Sequence, residues 1–320
     1  MIVEISTHGS SLKRDHDCFI IQNINERTEI PAEKIDAINI TANVLISTQA
    51  IRLCIEKNIQ LVISDYYGRP FSRLWSSTPG RSTELRRKQY LNQNTDFALK
   101  FSKEIVTIKL TRQKHYLIYL KNNRKNPSNE LITAIYTLDS SLMKIKNILK
   151  ESTIDLTSKS SMLGLEGSSA ALYFRALSSV LPKKWWFKER TQHPAYDAFN
   201  TTLNYLYGMG YSTVEKIIIL SGLDPNAGFY HADLYGKPTL SFDLMELIRP
   251  MIDRTVVSLF TKRKVHDYWF ENQNNRNNEI MISREGRKNL ISEYVKNNQK
   301  NIESEIWRYC KILTNKLVLI

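Results

Sequence analysis

The chain has 320 residues, 42% of them hydrophobic and 24% charged, ordinary proportions that exclude a disordered polypeptide and give length enough for two domains with a sizeable core. Its net charge of +13 is unevenly placed: residues 1–80 hold 8 Lys+Arg against 9 Asp+Glu, net −1, and the remainder is net +14. A downstream basic excess suits a phosphate backbone or an anionic membrane surface, and equally a basic protein kept soluble by its charge.

Cys18, Cys54 and Cys310 form no CxxC pair, so neither a disulfide framework nor a cysteine zinc site is expected and a reducing compartment is. The opening MIVEISTHGS lacks the basic-then-apolar order of a secretory signal, and no apolar run approaches the ~20 residues needed to span a bilayer. The expectation is a soluble, cytoplasmic protein with no membrane partner.

Short β-favouring runs fall at Ile2–Ile5, Cys18–Gln22, Ala37–Ile40 and Leu61–Ser64, with a helical pattern through Leu45, Ala50, Leu53, Cys54 and Ile55 that Asn58 closes. The breaker-rich stretch SSTPG at 76–80 marks a domain boundary where the charge balance changes. Beyond it Phe97, Phe101, Ile105, Ile108, Tyr116 and Leu120 share one helical face, and the Asn- and Pro-bearing stretch 121–130 ends that helix. Further helices are expected around 131–150, 160–178, 195–209, 213–221, 241–261 and 283–312, with ENQNNRNNE at 271–279 as an exposed loop. The fold class is therefore α+β: a small β-rich domain over 1–80, then a larger helical domain over 81–320.

Three segments carry candidate chemistry. SSMLGLEGSSAALYF, 160–174, sets Gly164 and Gly167 on either side of Glu166. Glycine within a helix costs ~1 kcal/mol relative to alanine, so the pair asks for close approach of a ligand or a neighbouring helix, the plain alternative being a packing motif with Glu166 facing water. In the segment 222–250, His231 sits in a Gly- and Pro-rich loop before a helical run in which Asp243 and Glu246, three apart, share a face within reach of one ion. Acids near a helix start also complement its dipole, and a loop histidine is often only a surface residue. One histidine with carboxylates suits Mg2+ or Mn2+ handling phosphate; HExxH is absent, which disfavours zinc hydrolysis.

The third segment, PKKWWFKER at 182–190, mixes Lys183, Lys184, Lys188 and Arg190 with Trp185, Trp186 and Phe187. Cations grip phosphates and rings stack on unpaired bases, or the tryptophans anchor a core with lysines snorkelling around them. Arg81, Arg86, Arg87 and Lys88 form a second basic cluster, able to grip DNA or to cap the domain boundary, and Arg249 adds a further candidate DNA contact. No GxxxxGK[ST], GxGxxG or GxSxG motif is present, so nucleotide hydrolysis, dinucleotide redox chemistry and serine hydrolysis have no support.

LGLEGSSAALYF, RTQHPAYDAFNTTLNYLYGMGY and GFYHADLYGKPTLSFDLMELIRP, preceded by IPAEKIDAINI, STQAIRLCIEKN and LVISDYYGRP in the same order, resemble the signature blocks of the CRISPR-associated spacer-integrase family, the Cas-one protein. The resemblance covers nearly the whole chain. It implies Glu166, His231 and Glu246 as metal ligands, with Asp243 either a direct ligand or a supporting acid, and a β-rich amino-terminal domain that dimerises. It also implies a reaction in which the 3′ hydroxyl of a short captured DNA attacks a phosphodiester at the edge of a CRISPR repeat. Such proteins work as homodimers, usually bridged by a small Cas-two companion. The alternatives are a metal-dependent nuclease of branched or single-stranded DNA, using water as the nucleophile, and a non-catalytic DNA-binding scaffold.

Overall fold

The computed structural model describes residues 1–65, 70–74, 83–148, 156–192, 194–231, 237–272 and 279–320. The expected boundary stretch 76–80, most of the 271–279 loop and Arg81 lie outside them. The chain divides into two compact units, Met1–Pro79 with Ile282–Val295, and Gly80–Met281 with Lys296–Ile320.

The first unit contains two four-stranded sheets. Strands β1 (Ile2–Ile5), β2 (Ser10–Asp15), β3 (Cys18–Gln22), β4 (Arg27–Pro31), β5 (Ala37–Ile40) and β6 (Val44–Ile46) precede helix α1 (Thr48–Glu56), which is followed by β7 (Gln60–Ser64) and β8 (Pro70–Arg73). One sheet runs β1-β5-β7-β8, parallel but for β8; the other runs β4-β3-β2-β6, with only β6 parallel to its neighbour. Alternation sends Val3, Ile5, Leu12, Phe19, Ile38, Ile40 and Leu61 into one core, on which α1 lays Ala50, Leu53 and Cys54. Ser47 caps α1 by accepting from the Ala50 amide at 3.2 Å, and Asn58, with φ +53°, turns the chain out of it.

The second unit is mostly helical: α2 (Thr83–Leu91), α3 (Asp96–Asn122), α4 (Asn129–Asn147), α5 (Leu156–Ser179), α6 (Ala198–Leu220) and α7 (Thr239–Thr261). A hairpin of β9 (Phe270–Asn272) and β10 (Ile280–Ile282) follows, an addition to the expected all-helical plan. Then come α8 (Arg284–Tyr294), a π-helical turn at Val295–Gln299, and α9 (Lys300–Val318).

Two expectations are corrected here. The separate helices at 195–209 and 213–221 are one helix, α6, whose interior Gly210 is packed against side chains of α7: a Cβ there would stand 2.8 Å from Ile252 Cδ1 and 3.1 Å from Met245 Cε. The single helix over 283–312 is two, broken at the π turn, and α8 counts with the first unit, where Arg287 pairs with Glu4 at 3.0 Å. No described helix is long and apolar enough to cross a membrane.

Candidate active site

In the second unit α3 packs on both α5 and α7, and the three helices bring four charged side chains together. Lys109 lies on the buried face of α3, continuing the i, i+4 row from Phe101 and Ile105 toward Gln113. Its ammonium bonds Glu166 Oε1 of α5 and stands 2.5 Å from Glu246 Oε2 of α7. Glu246 Oε1 accepts from Arg249 Nε at 2.9 Å, one turn along α7. The second oxygen of Glu166 accepts from the Tyr230 hydroxyl at 2.6 Å.

His231 is supplied by the loop before α7, and a short chain of causes fixes it. Gly228 lies so close to the α7 start that a Cβ would stand 2.6 Å from the Thr239 carbonyl carbon, so only glycine lets this loop pack there. The loop then turns the amides of Phe229, Tyr230 and His231 onto the wholly buried Asp243, at 2.6, 2.9 and 3.0 Å. Asp243 Oδ1 also stands 2.8 Å from His231 Nδ1. Both Asp243 oxygens are thus spent on holding the loop and orienting the imidazole, whose other nitrogen, Nε2, keeps its coordinating capacity. The Tyr230 ring packs edge-on against His231, centroids 4.7 Å apart, and Phe229 is wedged against Phe97 and Phe101.

Burial works against every charge here, and the neighbours decide the outcome. Burial pushes the Glu246 carboxyl up, but Arg249 and Lys109 outweigh it and hold it below the usual carboxylate range. Burial draws Lys109 down, and Glu246 and Glu166 more than restore it. Burial likewise draws His231 down, and the hydrogen bond and charge of Asp243, backed by Glu246 and Glu166, raise it above its ordinary value.

Glu166, His231, Asp243 and Glu246, singled out in sequence, therefore share one neighbourhood. Among the described residues no three acidic, imidazole or thiol side chains stand around a common ion position; the cation between the two glutamates is Lys109. The donor chemistry nonetheless fits an oxygen-preferring divalent ion. Two carboxylates from different helices already surround a positive charge, and an imidazole is oriented through its far nitrogen by a carboxylate. Gly164 and Gly167 are not a helix-packing motif: a Cβ at either would meet nothing within 4 Å. They leave the surface beside Glu166 open.

The basic clusters are divided by the structure. Trp185 is an anchor, packed edge-on against Phe260 at 5.4 Å and near Phe270, while Trp186 is 53% exposed. Lys183, Lys184 and Lys188 are exposed, with Lys184 paired to Asp267 and over the Trp185 ring. Arg190 turns inward to Asn200 and Asn204 and over the Phe174 and Tyr207 rings. Arg249 is likewise taken up by Glu246 and the Tyr211 hydroxyl. Arg87 is exposed, whereas Arg86 donates to the Gly222 carbonyl at 3.3 Å. Lys109 was not singled out in sequence; a lysine on the apolar stripe of a long helix was the available signal.

The family model described as CRISPR associated protein Cas1 matches residues 3–296. "CRISPR-associated protein Cas1 3" of Methanobrevibacter ruminantium is 30% identical, with 88% of this chain aligned to 84% of that protein. "CRISPR-associated endonuclease Cas1 1" of Archaeoglobus fulgidus is 30% identical, over 82% of this chain and 78% of its own length. The chain belongs to the Cas1 family. Its fold is that of a Cas1 protein from Thermotoga maritima (TM-score 0.79, 21% identity, 98% of this chain and 97% of that one). A casposase bound to integration product is similar at TM-score 0.79 and 22% identity over 98% and 91% of the two chains, and a chain of a Cas6-RT-Cas1–Cas2 complex at 0.81 and 21% over 99% and 35%.

Proposed function

We propose that this Cas1-family chain is an integrase of CRISPR adaptation, joining the 3′ hydroxyls of short captured DNA to a CRISPR repeat by metal-dependent transesterification, with associated endonuclease activity. The observation that carries this reading is that Glu166 and Glu246 close on one buried cation, with the Asp243-oriented His231 in the same neighbourhood. Glu166, His231 and Glu246 would hold the ion, Mn2+ or Mg2+. Such an ion, when bound, polarises a phosphodiester and offsets charge on the departing oxygen.

The chain's own part is positioning. Asp243 fixes the imidazole so that its free nitrogen is presented without rotation, and Tyr230 does the same for one oxygen of Glu166. The donor's 3′ oxygen bonds to phosphorus, the target's 3′ oxygen leaves and takes up a proton, and the number of phosphodiesters is unchanged. No covalent enzyme intermediate is needed, so the chain's contribution is alignment, beside the charge that a bound ion would supply. Exposed Lys183, Lys184, Lys188 and Arg87, with the open ring of Trp186, are suited to a DNA end. Arg190 and Arg249 would act from within, by holding the site's framework. A homodimer formed through the β-rich unit and a Cas2 companion complete the reading, in keeping with the Cas1–Cas2 complex to which the fold is similar.

The nuclease alternative uses the same centre with water as nucleophile, and the "endonuclease" in a relative's name favours its presence alongside joining. Products separate the two. With Mn2+, a labelled duplex bearing free 3′ hydroxyls and a supercoiled repeat-containing plasmid, the protein is expected to join label to plasmid and His231→Ala to lose that joining. Shortened strands without joined product in the presence of a Cas2 companion would favour the nuclease, and joining that survives His231→Ala would remove the proposed site.

A further inference from the structure

The two site glutamates do not face each other across an open gap. The Lys109 ammonium bonds Glu166 Oε1 and lies 2.5 Å from Glu246 Oε2, and its side chain keeps only 7% of its exposure. Two carboxylates this close and this buried repel each other unless a positive charge lies between them. An ion coordinated by both glutamates needs the same oxygens, at little more than 2 Å, roughly. Ammonium and ion therefore exclude each other from that position. Lysine is suited to giving way, because its charge ends a flexible four-carbon stem and can leave by side-chain rotation alone.

We infer that Lys109 is a resident counter-ion that holds Glu166 and Glu246 poised in the ion-free protein and is displaced when the divalent ion enters. The inference rests on the reading that these glutamates hold the ion. Lys109 then sets the ion affinity: every binding event breaks two lysine–carboxylate contacts before it gains its own. Part of the ion's binding energy is offset, and the site stays ordered and closed to stray cations until a sufficient concentration of the right one arrives. It acts here as a positioning residue, not a ligand, and its effect runs opposite to that of a residue that merely supports the site.

The test is calorimetric titration of the full chain with manganese chloride, for the wild type, Lys109→Met, Lys109→Arg and His231→Ala. Lys109→Met keeps most of the side-chain volume and removes the competing charge, so it is expected to bind Mn2+ roughly tenfold tighter or more. Lys109→Arg, whose guanidinium grips carboxylates more firmly, is expected to bind several-fold more weakly, by order of magnitude. Equal or weaker binding by Lys109→Met overturns the inference. Should Lys109→Met fail to fold, the arginine variant decides, and unchanged or tighter binding there overturns it. His231→Ala separates the two readings: if wild-type Mn2+ binding is untouched by that change, the ion lies elsewhere and the site assignment itself fails, whereas loss in His231→Ala with no effect at Lys109 sinks only the displacement.

Discussion

Helix α7 buries three carboxylates, Asp243, Glu246 and Asp253, and gives the last two, two turns apart, opposite chemistry. Glu246 lies between Lys109 and Arg249, and these cations overcome burial and keep it ionised. Asp253 accepts hydrogen bonds from the Tyr173 and Tyr207 hydroxyls, and burial pushes it up to about 6. Arg249 stands between them, its guanidinium bonded to Glu246 and stacked 4.8 Å from the Tyr207 ring centroid. Two acids on one helix, equally removed from water, thus differ by whether a formal charge or a phenol meets them. The first is held ready for a cation, and the second ties α5, α6 and α7 together.

The largest effect that would sharpen this contrast comes from removing the charge at the first position. Glu246→Gln leaves Lys109 and Arg249 buried with one carboxylate fewer, and is expected to lower unfolding free energy by about 3–5 kcal/mol, measured by urea denaturation. A loss as small as that of an exposed substitution would mean the cluster is open to water.

At the second position the expected effect is a pH dependence. Asp253 has its folded-state value raised from 3.8 to about 6, so the folded chain binds that proton more tightly and stability falls as pH rises through this window. The full cost, ~3 kcal/mol, is then present at neutral pH. Asp253→Asn should remove that decline, and unfolding measured from about pH 4 to about pH 7 would show a flatter profile than the wild type. An unchanged slope would place the titration elsewhere.

The smallest effect is expected at Asp243, whose oxygens meet three loop amides and the His231 ring. Asp243→Asn keeps an acceptor for some of the loop amides but weakens the grip on His231 Nδ1, and should reduce Mn2+ affinity by about 10–100-fold. If it abolishes binding as completely as loss of His231, Asp243 is itself a ligand.

Much of this was legible in the sequence. Ile2–Ile5, Cys18–Gln22 and Ala37–Ile40 are strands as expected, because continuous or alternating β-branched runs leave little choice. Strand β2, SSLKRD, was missed, since a strand that sends mainly Ser10 and Leu12 inward and charges outward has no apolar signature. Glu166, His231, Asp243 and Glu246 were singled out through glycine placement, helical spacing and family resemblance, and the structure brings them into one neighbourhood. The surroundings of Asp243 and Glu246 were not legible: Asp243 meets three loop amides that Gly228 lets pack against backbone, whereas Glu246 meets Lys109 and Arg249 from other positions. Lys109 escaped for a related reason: its place on the apolar stripe of α3 marks it as buried, but not that two other helices bring carboxylates to it. In PKKWWFKER, sequence could not tell which tryptophan faces inward; packing against Phe260 assigns that role to Trp185.

The most direct test of the central claim, a lysine-held carboxylate centre that takes a divalent ion, is anomalous diffraction from crystals of the protein loaded with Mn2+. The account expects one strong peak bounded by Glu166, His231 and Glu246, with the Lys109 side chain turned away from both carboxylates. A peak elsewhere, or a Lys109 still bridging the glutamates beside a bound ion, would contradict it.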